Sequence, residues 1–225
     1  MERAPQSTPR RLAIAPARAL TSASLKTHDS TLQQAPRLER GDFARPTLVA
    51  APRLLGCVLC HRVGGKVLRG RIVELEAYTD DPASHAANGK QTPRNRVMFG
   101  PAGVAYIYFS YGMHHCCNVV TEVDGVPGAV LIRGLDGGVL APGPALACRA
   151  LHLSVRDNGR DLVTDPDLWI ESGRRRRGER IVRTKRVGIV KGVDLQRRFY
   201  LLGSRGVSKR DRAAEARLTA PNVAK

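Results

Sequence analysis

The chain of 225 residues is 42% hydrophobic and carries 37 Lys and Arg against 20 Asp and Glu, a net charge of +17 with a pI near 10.7. That length suits one domain with tails, no apolar run reaches the roughly 18–20 residues of a membrane span, and the N-terminus lacks the apolar core of a secretory signal. The charge points to a polyanionic partner, nucleic acid first, and the expected location is the cytoplasm, at the nucleoid.

Residues 1–41 are rich in Ala, Arg, Ser, Thr and Pro with few acids, and read as a disordered basic arm. The folded part is expected over residues 42–210. Residues 46–52 read as a short helix and 54–63 as a strand. Gly64-Gly65 marks a tight hairpin turn, and 67–78 is the returning strand. On that strand Val73, Leu75 and Ala77 point one way, and Ile72, Glu74, Glu76 and Tyr78 the other. Residues 79–103 lack periodicity and form a long loop, a length that usually signals function. Residues 104–110 and 118–123 are strands, with Tyr111-Gly112 near a hairpin tip, and 128–135 is a further strand presenting Ala129, Leu131 and Arg133 on one side. Residues 137–144 form a loop, 146–153 a helix, Asn158-Gly159 a turn, 168–171 and 199–202 short strands, and 174–177 a basic loop. Residues 211–225 read as a flexible tail. Hairpins with a few helices argue for a single α+β domain.

Four of the five tyrosines lie between positions 78 and 111. Glu74 and Glu76 share a strand face, where two like charges need partners. A carboxylate half-sheltered by aromatics can have a raised pKa and serve as a general base. Tyr106 and Tyr108 alternate on one strand face and Tyr111 follows at a turn. In a basic protein such aromatics stack nucleobases or wedge between base pairs. His85 stands in the loop nine residues after Glu76, and residues 91–96, Gln-Thr-Pro-Arg-Asn-Arg, make a phosphate-gripping set. Five scattered cysteines, at 57, 60, 116, 117 and 148, are no disulfide framework and suit a reducing compartment. Cys57-x-x-Cys60-His61 matches a haem-attachment pattern but lies in an apolar strand without an export signal. His114-His115-Cys116-Cys117 offers zinc ligands, yet adjacent strand residues point to opposite faces.

Several of these segments, in this order, resemble the alkyladenine (3-methyladenine) DNA glycosylase family: Arg69-Gly-Arg-Ile-Val-Glu-Leu-Glu-Ala-Tyr78, His85, Gln91-Thr-Pro-Arg-Asn-Arg-Val-Met-Phe99, Tyr106-x-Tyr108, Tyr111-Gly-Met113, Asn118, Leu131-Ile-Arg133, Arg186-Val-Gly188 and Arg198-Phe-Tyr200. The resemblance covers roughly residues 42–210. It implies a curved, mostly antiparallel sheet flanked by helices, with a β-hairpin that enters the DNA minor groove. It implies a monomer acting on double-stranded DNA with damaged purines, without membrane, cofactor or metal.

The activity implied is a monofunctional one that starts base excision repair. A purine of the 3-methyladenine, 7-methylguanine, hypoxanthine and ethenoadenine class is flipped out and its N-glycosidic bond hydrolysed. By matching position Glu76 is the general base, with Arg133 and the backbone carbonyl of Val187 holding the water. Tyr78 and His85 sandwich the base, Tyr108 closes the pocket edge, and Asn118 crowds the exocyclic amine of guanine. Tyr111 and Met113 fill the gap left in the duplex, and Lys90, Thr92, Arg94 and Tyr106 meet DNA. Extrusion costs a few kcal/mol and needs such a wedge, and a positive alkylated ring stacks well on tyrosine.

The chain departs from the family between Arg133 and Gly143-Pro144, where it is shorter than most relatives. That motivates the alternative of a damaged-DNA-binding protein that does not cut. A zinc base deaminase is disfavoured, because its H-x-E and P-C-x-x-C pattern is missing.

Overall fold

Gly64 and Gly65, both with positive φ, turn strand β1 (Val58–Val63) back on β2 (Lys66–Tyr78), as the hairpin signal demands. The computed structural model describes residues 35–220, and from this hairpin it builds a nine-stranded, strongly curled antiparallel sheet. The other strands are β3 (Ala105–Ser110), β4 (His114–Val120), β5 (Ala129–Gly138), β6 (Ala141–Pro142), β7 (Leu168–Glu171), β8 (Ile181–Thr184) and β9 (Arg198–Leu201). The main order is β3-β4-β5-β2-β1-β7, with β6 on β5 and the β8–β9 pair on β2.

Strand β2 is the spine. One edge runs along β5 from Gly70 to Tyr78, while the other pairs first with β1 and then, at Glu74–Glu76, with β9. Register shifts around Ile72 and Glu74 bend the strand. They also break the strict alternation expected from sequence: Ile72 joins Val73, Leu75 and Ala77 in the main core instead of sharing the Glu74–Glu76 face. At Gly134 of β5 a Cβ would lie 2.2 Å from the Gly206 carbonyl oxygen, so the chain near 206 crosses the strand only over a glycine.

Helices α1 (Arg40–Phe43), α2 (Thr47–Leu54) and α3 (Pro144–Ala150) belong to the main core, to which they contribute Phe43, Leu54, Ala147 and Cys148 beside Leu75, Ile132 and Leu135. A second cluster of Ala86, Met98, Tyr106, Val120 and Ala129 ties the 79–103 loop to the sheet. That loop is not structureless, as it holds two 3₁₀ turns, Ala87–Gly89 and Arg96–Phe99.

Several boundaries differ from expectation: Leu54 ends α2 and β1 begins only at Val58, β5 runs on to Gly138 with β6 inside the expected loop, and α3 spans Pro144–Ala150 in place of 146–153. Strand β4 begins at His114, since the Tyr111 turn is tight, and the stretch after 210 carries helix α4 (Arg212–Thr219) in place of a tail. Asp211 caps α4 by accepting from the Ala214 amide at 3.0 Å, and Tyr200 and Val182 cover its Ala214 face. At the other end Leu38 donates to Ile170 O, so order reaches into the expected arm; residues 1–34 lie outside the described residues. Among the described residues no helix is long and apolar enough to cross a membrane.

Candidate active site

Strand β2 is paired on both edges at Glu76, with Leu131 and with Arg198, and the Glu76 side chain is 0% exposed. Oε1 accepts a hydrogen bond from the Val187 amide at 2.7 Å. Oε2 accepts from the Tyr78 hydroxyl at 2.8 Å and from Arg133 Nη1 at 3.3 Å. Burial raises the Glu76 pKa above the ordinary glutamate range. The Arg133 charge, the Val187 amide and the Tyr78 hydroxyl oppose that rise without cancelling it, and nearby Glu74 adds to it.

Glu74 is equally buried and separately partnered. Arg198 Nη1 donates to its Oε1 at 2.8 Å and the Ser208 amide to its Oε2 at 2.6 Å. Arg133 Nε stands 3.5 Å from Glu74 Oε1, outside hydrogen-bond geometry, while Nη2 reaches Ser208 Oγ at 3.3 Å. The two like charges that the sequence placed on one face are thus matched by two guanidiniums, Arg133 from β5 and Arg198 from β9.

A cavity of about 510 Å³ adjoins this layer, within the size range of small-ligand sites. Glu76 does not line it, but Tyr78, Arg133 and Val187, the three groups holding its carboxylate, all do. The same cavity collects His85, Tyr108 and Asn118. The His85 and Tyr108 rings meet edge to face at 4.6 Å. His85 Nδ1 bonds the Tyr106 hydroxyl at 2.8 Å, and burial together with the Arg94 charge lowers its pKa, favouring the neutral ring. Burial, reinforced by Glu76 at Tyr78 and by Cys116 at Tyr108, pushes both tyrosine hydroxyls up, so they remain donors at any working pH. Asn118 Nδ2 donates to Tyr106 O at 2.9 Å, which fixes the amide at the cavity wall.

Three groups organise the site in roles the sequence did not assign: Asp81, Arg186 and Asn95. Asp81 accepts from Arg186 Nη2 at 2.5 Å and Arg197 Nη1 at 2.9 Å. Burial works against its charge, but the Arg186 hydrogen bonds and the Ala83 and Thr79 amides hold its pKa below the usual carboxylate value. Arg186 Cζ lies 4.6 Å from the Tyr78 ring centroid. Asn95, 1% exposed, donates to His85 O at 2.7 Å and Lys90 O at 2.9 Å and accepts from the Thr92 amide and hydroxyl. All three sites join residues far apart in sequence or close a loop on itself.

The remaining candidates divide between rim and wall. Tyr111 is 86% exposed at φ 50° on the β3–β4 turn, and Met113 beside it is 68% exposed. Lys90 is exposed and Thr92 half-buried. Arg94 is exposed, donates to Phe109 O at 3.2 Å and lies over the Tyr108 ring. Tyr106 is 1% exposed and stands behind His85, where it supports the wall. At Val187 the contact made is the amide donating to Glu76; the expected role concerned its carbonyl. Cys57 sits in the main core and Cys60 beside Trp169, while His61 Nδ1 bonds Leu151 O at 2.7 Å. Cys116 lines the cavity and Cys117 enters the core, so the four-residue His-Cys run is split between faces.

The model of the methylpurine-DNA glycosylase family matches residues 41–205. A relative from Trichodesmium erythraeum is 42% identical over 196 residues, 76% of this chain and 97% of its own. One from Carboxydothermus hydrogenoformans is 45% identical over 77% of this chain and 99% of its own, and one from Anaeromyxobacter sp. is 48% identical over 77% and 93%. All three are named, provisionally, as 3-methyladenine DNA glycosylases. With a matching family model over nearly all of the folded part, the chain belongs to the methylpurine-DNA glycosylase family.

Proposed function

We propose that this protein extrudes a damaged purine from duplex DNA into the 510 Å³ cavity and hydrolyses its N-glycosidic bond with water. The observation that carries the reading is the fully buried Glu76 carboxylate, held by three groups that themselves line an aromatic cavity. A carboxylate offers about four acceptor positions, and Tyr78, Arg133 and Val187 fill three of them. The position left on Oε1 is where a water would be bound and deprotonated. The water oxygen bonds C1′, its proton passes to Glu76, and the electrons of the broken C–N bond leave with the base, which departs neutral from a cationic lesion and, from a neutral one, takes up a proton from solvent. The products are a free base and an abasic site, with no covalent enzyme intermediate.

In this reading Tyr78 and His85 stack on the extruded base, Tyr108 bounds it, and Asn118 meets its edge. Tyr111 and Met113, exposed on one hairpin turn, fill the gap in the duplex from the minor groove, and Lys90, Thr92 and Arg94 meet the backbone. Lesions of the 3-methyladenine, 7-methylguanine, hypoxanthine and ethenoadenine class are the substrates, and a monomer at the nucleoid is the working form.

Single-turnover reactions on labelled duplexes test the proposal, with chelator present and hot alkali applied afterwards. Strand breaks are expected only after alkali, only at a lesion, and not with Glu76→Gln, which still binds damaged duplex. Tight binding by the wild type without release of any lesion would favour the non-cutting alternative, and full activity in Glu76→Gln would remove the general-base assignment.

A further inference from the structure

The tyrosine walls of the cavity have arginines set against them. Tyr78 lines the cavity, whereas the Arg186 side chain is 0% exposed and does not, so its guanidinium, 4.6 Å from the ring centroid, lies on the ring face turned away from the cavity. Asp81 pairs with Arg186 but also with Arg197, so two cations share one carboxylate and the buried group stays positive. At Tyr108 a second guanidinium, Arg94 on the cavity lining itself, has its Cζ 5.2 Å from the ring centroid. Glu76, the carboxylate nearest the cavity, is itself matched by Arg133. A ring attracts a cation through its negative face. A guanidinium already drawing on that ring leaves less attraction for a second positive charge, and repels it directly through a poorly screened interior.

We propose that Arg186 and Arg94 bias the aromatic cage toward neutral purine lesions, such as hypoxanthine and ethenoadenine, over lesions with a fixed positive charge, such as 7-methylguanine. This rests on the glycosylase reading above and adds a substrate preference to it. It limits the expectation that a positive alkylated ring stacks well on tyrosine, because each of these rings already has a guanidinium beside it. Arg186 acts here as a positioning and tuning residue, since it touches the stacking ring and not the base.

The test compares single-turnover release of 7-methylguanine and hypoxanthine from duplexes identical except at the lesion, so that DNA grip cancels in the ratio of rates. Arg186→Met is expected to raise the 7-methylguanine to hypoxanthine ratio about two- to threefold, the scale of a single cation–π contact. Arg186→Lys, which keeps the charge, holds the ratio near that of the wild type. Arg94→Met, at an exposed position, shifts the ratio in the same direction and serves if Arg186→Met does not fold. A purely structural role lowers both rates together, and an unmoved or falling ratio in either folded methionine variant overturns the proposal. If the wild type releases neither base, the glycosylase reading fails and this inference with it. If it releases both and the ratio stays fixed, only this inference fails.

Discussion

Burial works against the Glu76 charge, and the pH dependence of excision should report that balance. A general base must be ionised to act, and burial places the Glu76 pKa above the ordinary 4.5. Single-turnover rates should therefore rise with pH through a limb above that value. Arg133 is the strongest influence opposing burial, so Arg133→Gln should move the limb to still higher pH while lowering the plateau. A limb at the ordinary glutamate value in the wild type, or a downward shift in the variant, contradicts the assignment. At this scale much was legible: the two-residue spacing of Glu74, Glu76 and Tyr78 put them on one face before any fold was known. The partners of Glu74 and Arg186 were not. Asp81 with Arg186 spans 105 positions and Glu74 with Arg198 spans 124, and no local pattern encodes such a meeting.

At the scale of elements, the 79–103 loop and the β3–β4 hairpin carry most of the cavity between them. Asn95 closes the loop by bonding His85 O, Lys90 O and the Thr92 backbone and hydroxyl. Asn95→Ala leaves buried groups unpaired, at a cost of about 1–3 kcal/mol. For a chain of this size that lowers Tm by roughly 3–10 °C, and His85 loses its anchor, so excision should fall more than melting alone explains. A thermal scan beside single-turnover rates at a temperature where the variant is folded separates the two effects.

The hairpin tip holds Tyr111 at φ 50°, a conformation that non-glycine residues seldom adopt. Tyr111→Ser should cut the extruded fraction of a fluorescent base analogue severalfold with little change in Tm, because the lost side chain is 86% exposed; unchanged extrusion removes the wedge role. Hairpins with glycine turns were readable from sequence, and so were strands 168–171 and, within a residue, β9. Strand β8 and helix α4 were not, because each is short and draws its stability from β9 and Tyr200, not from its own periodicity.

For the whole molecule, charge governs the approach to DNA. A net charge of +17 predicts binding to undamaged duplex that weakens steeply with salt, and each phosphate contact contributes about 0.9 to the slope of log K against log salt. Lys90→Ala should reduce that slope by about one without changing the ranking of lesions; fluorescence anisotropy from low to moderate salt reads both. Burial of Glu76 has a further consequence, for folding. A carboxyl whose folded pKa is raised stabilises the protein while protonated, below its unfolded pKa, and that contribution is lost as pH rises through the folded pKa. Wild-type Tm should therefore fall across that window, whereas Glu76→Gln, which cannot ionise, should not follow. The difference in Tm in favour of the inactive variant should open with rising pH and then level off. The residue that would activate water is thus also a weak point of the native state, and a search for more stable versions of this chain would tend to select the ones that no longer react.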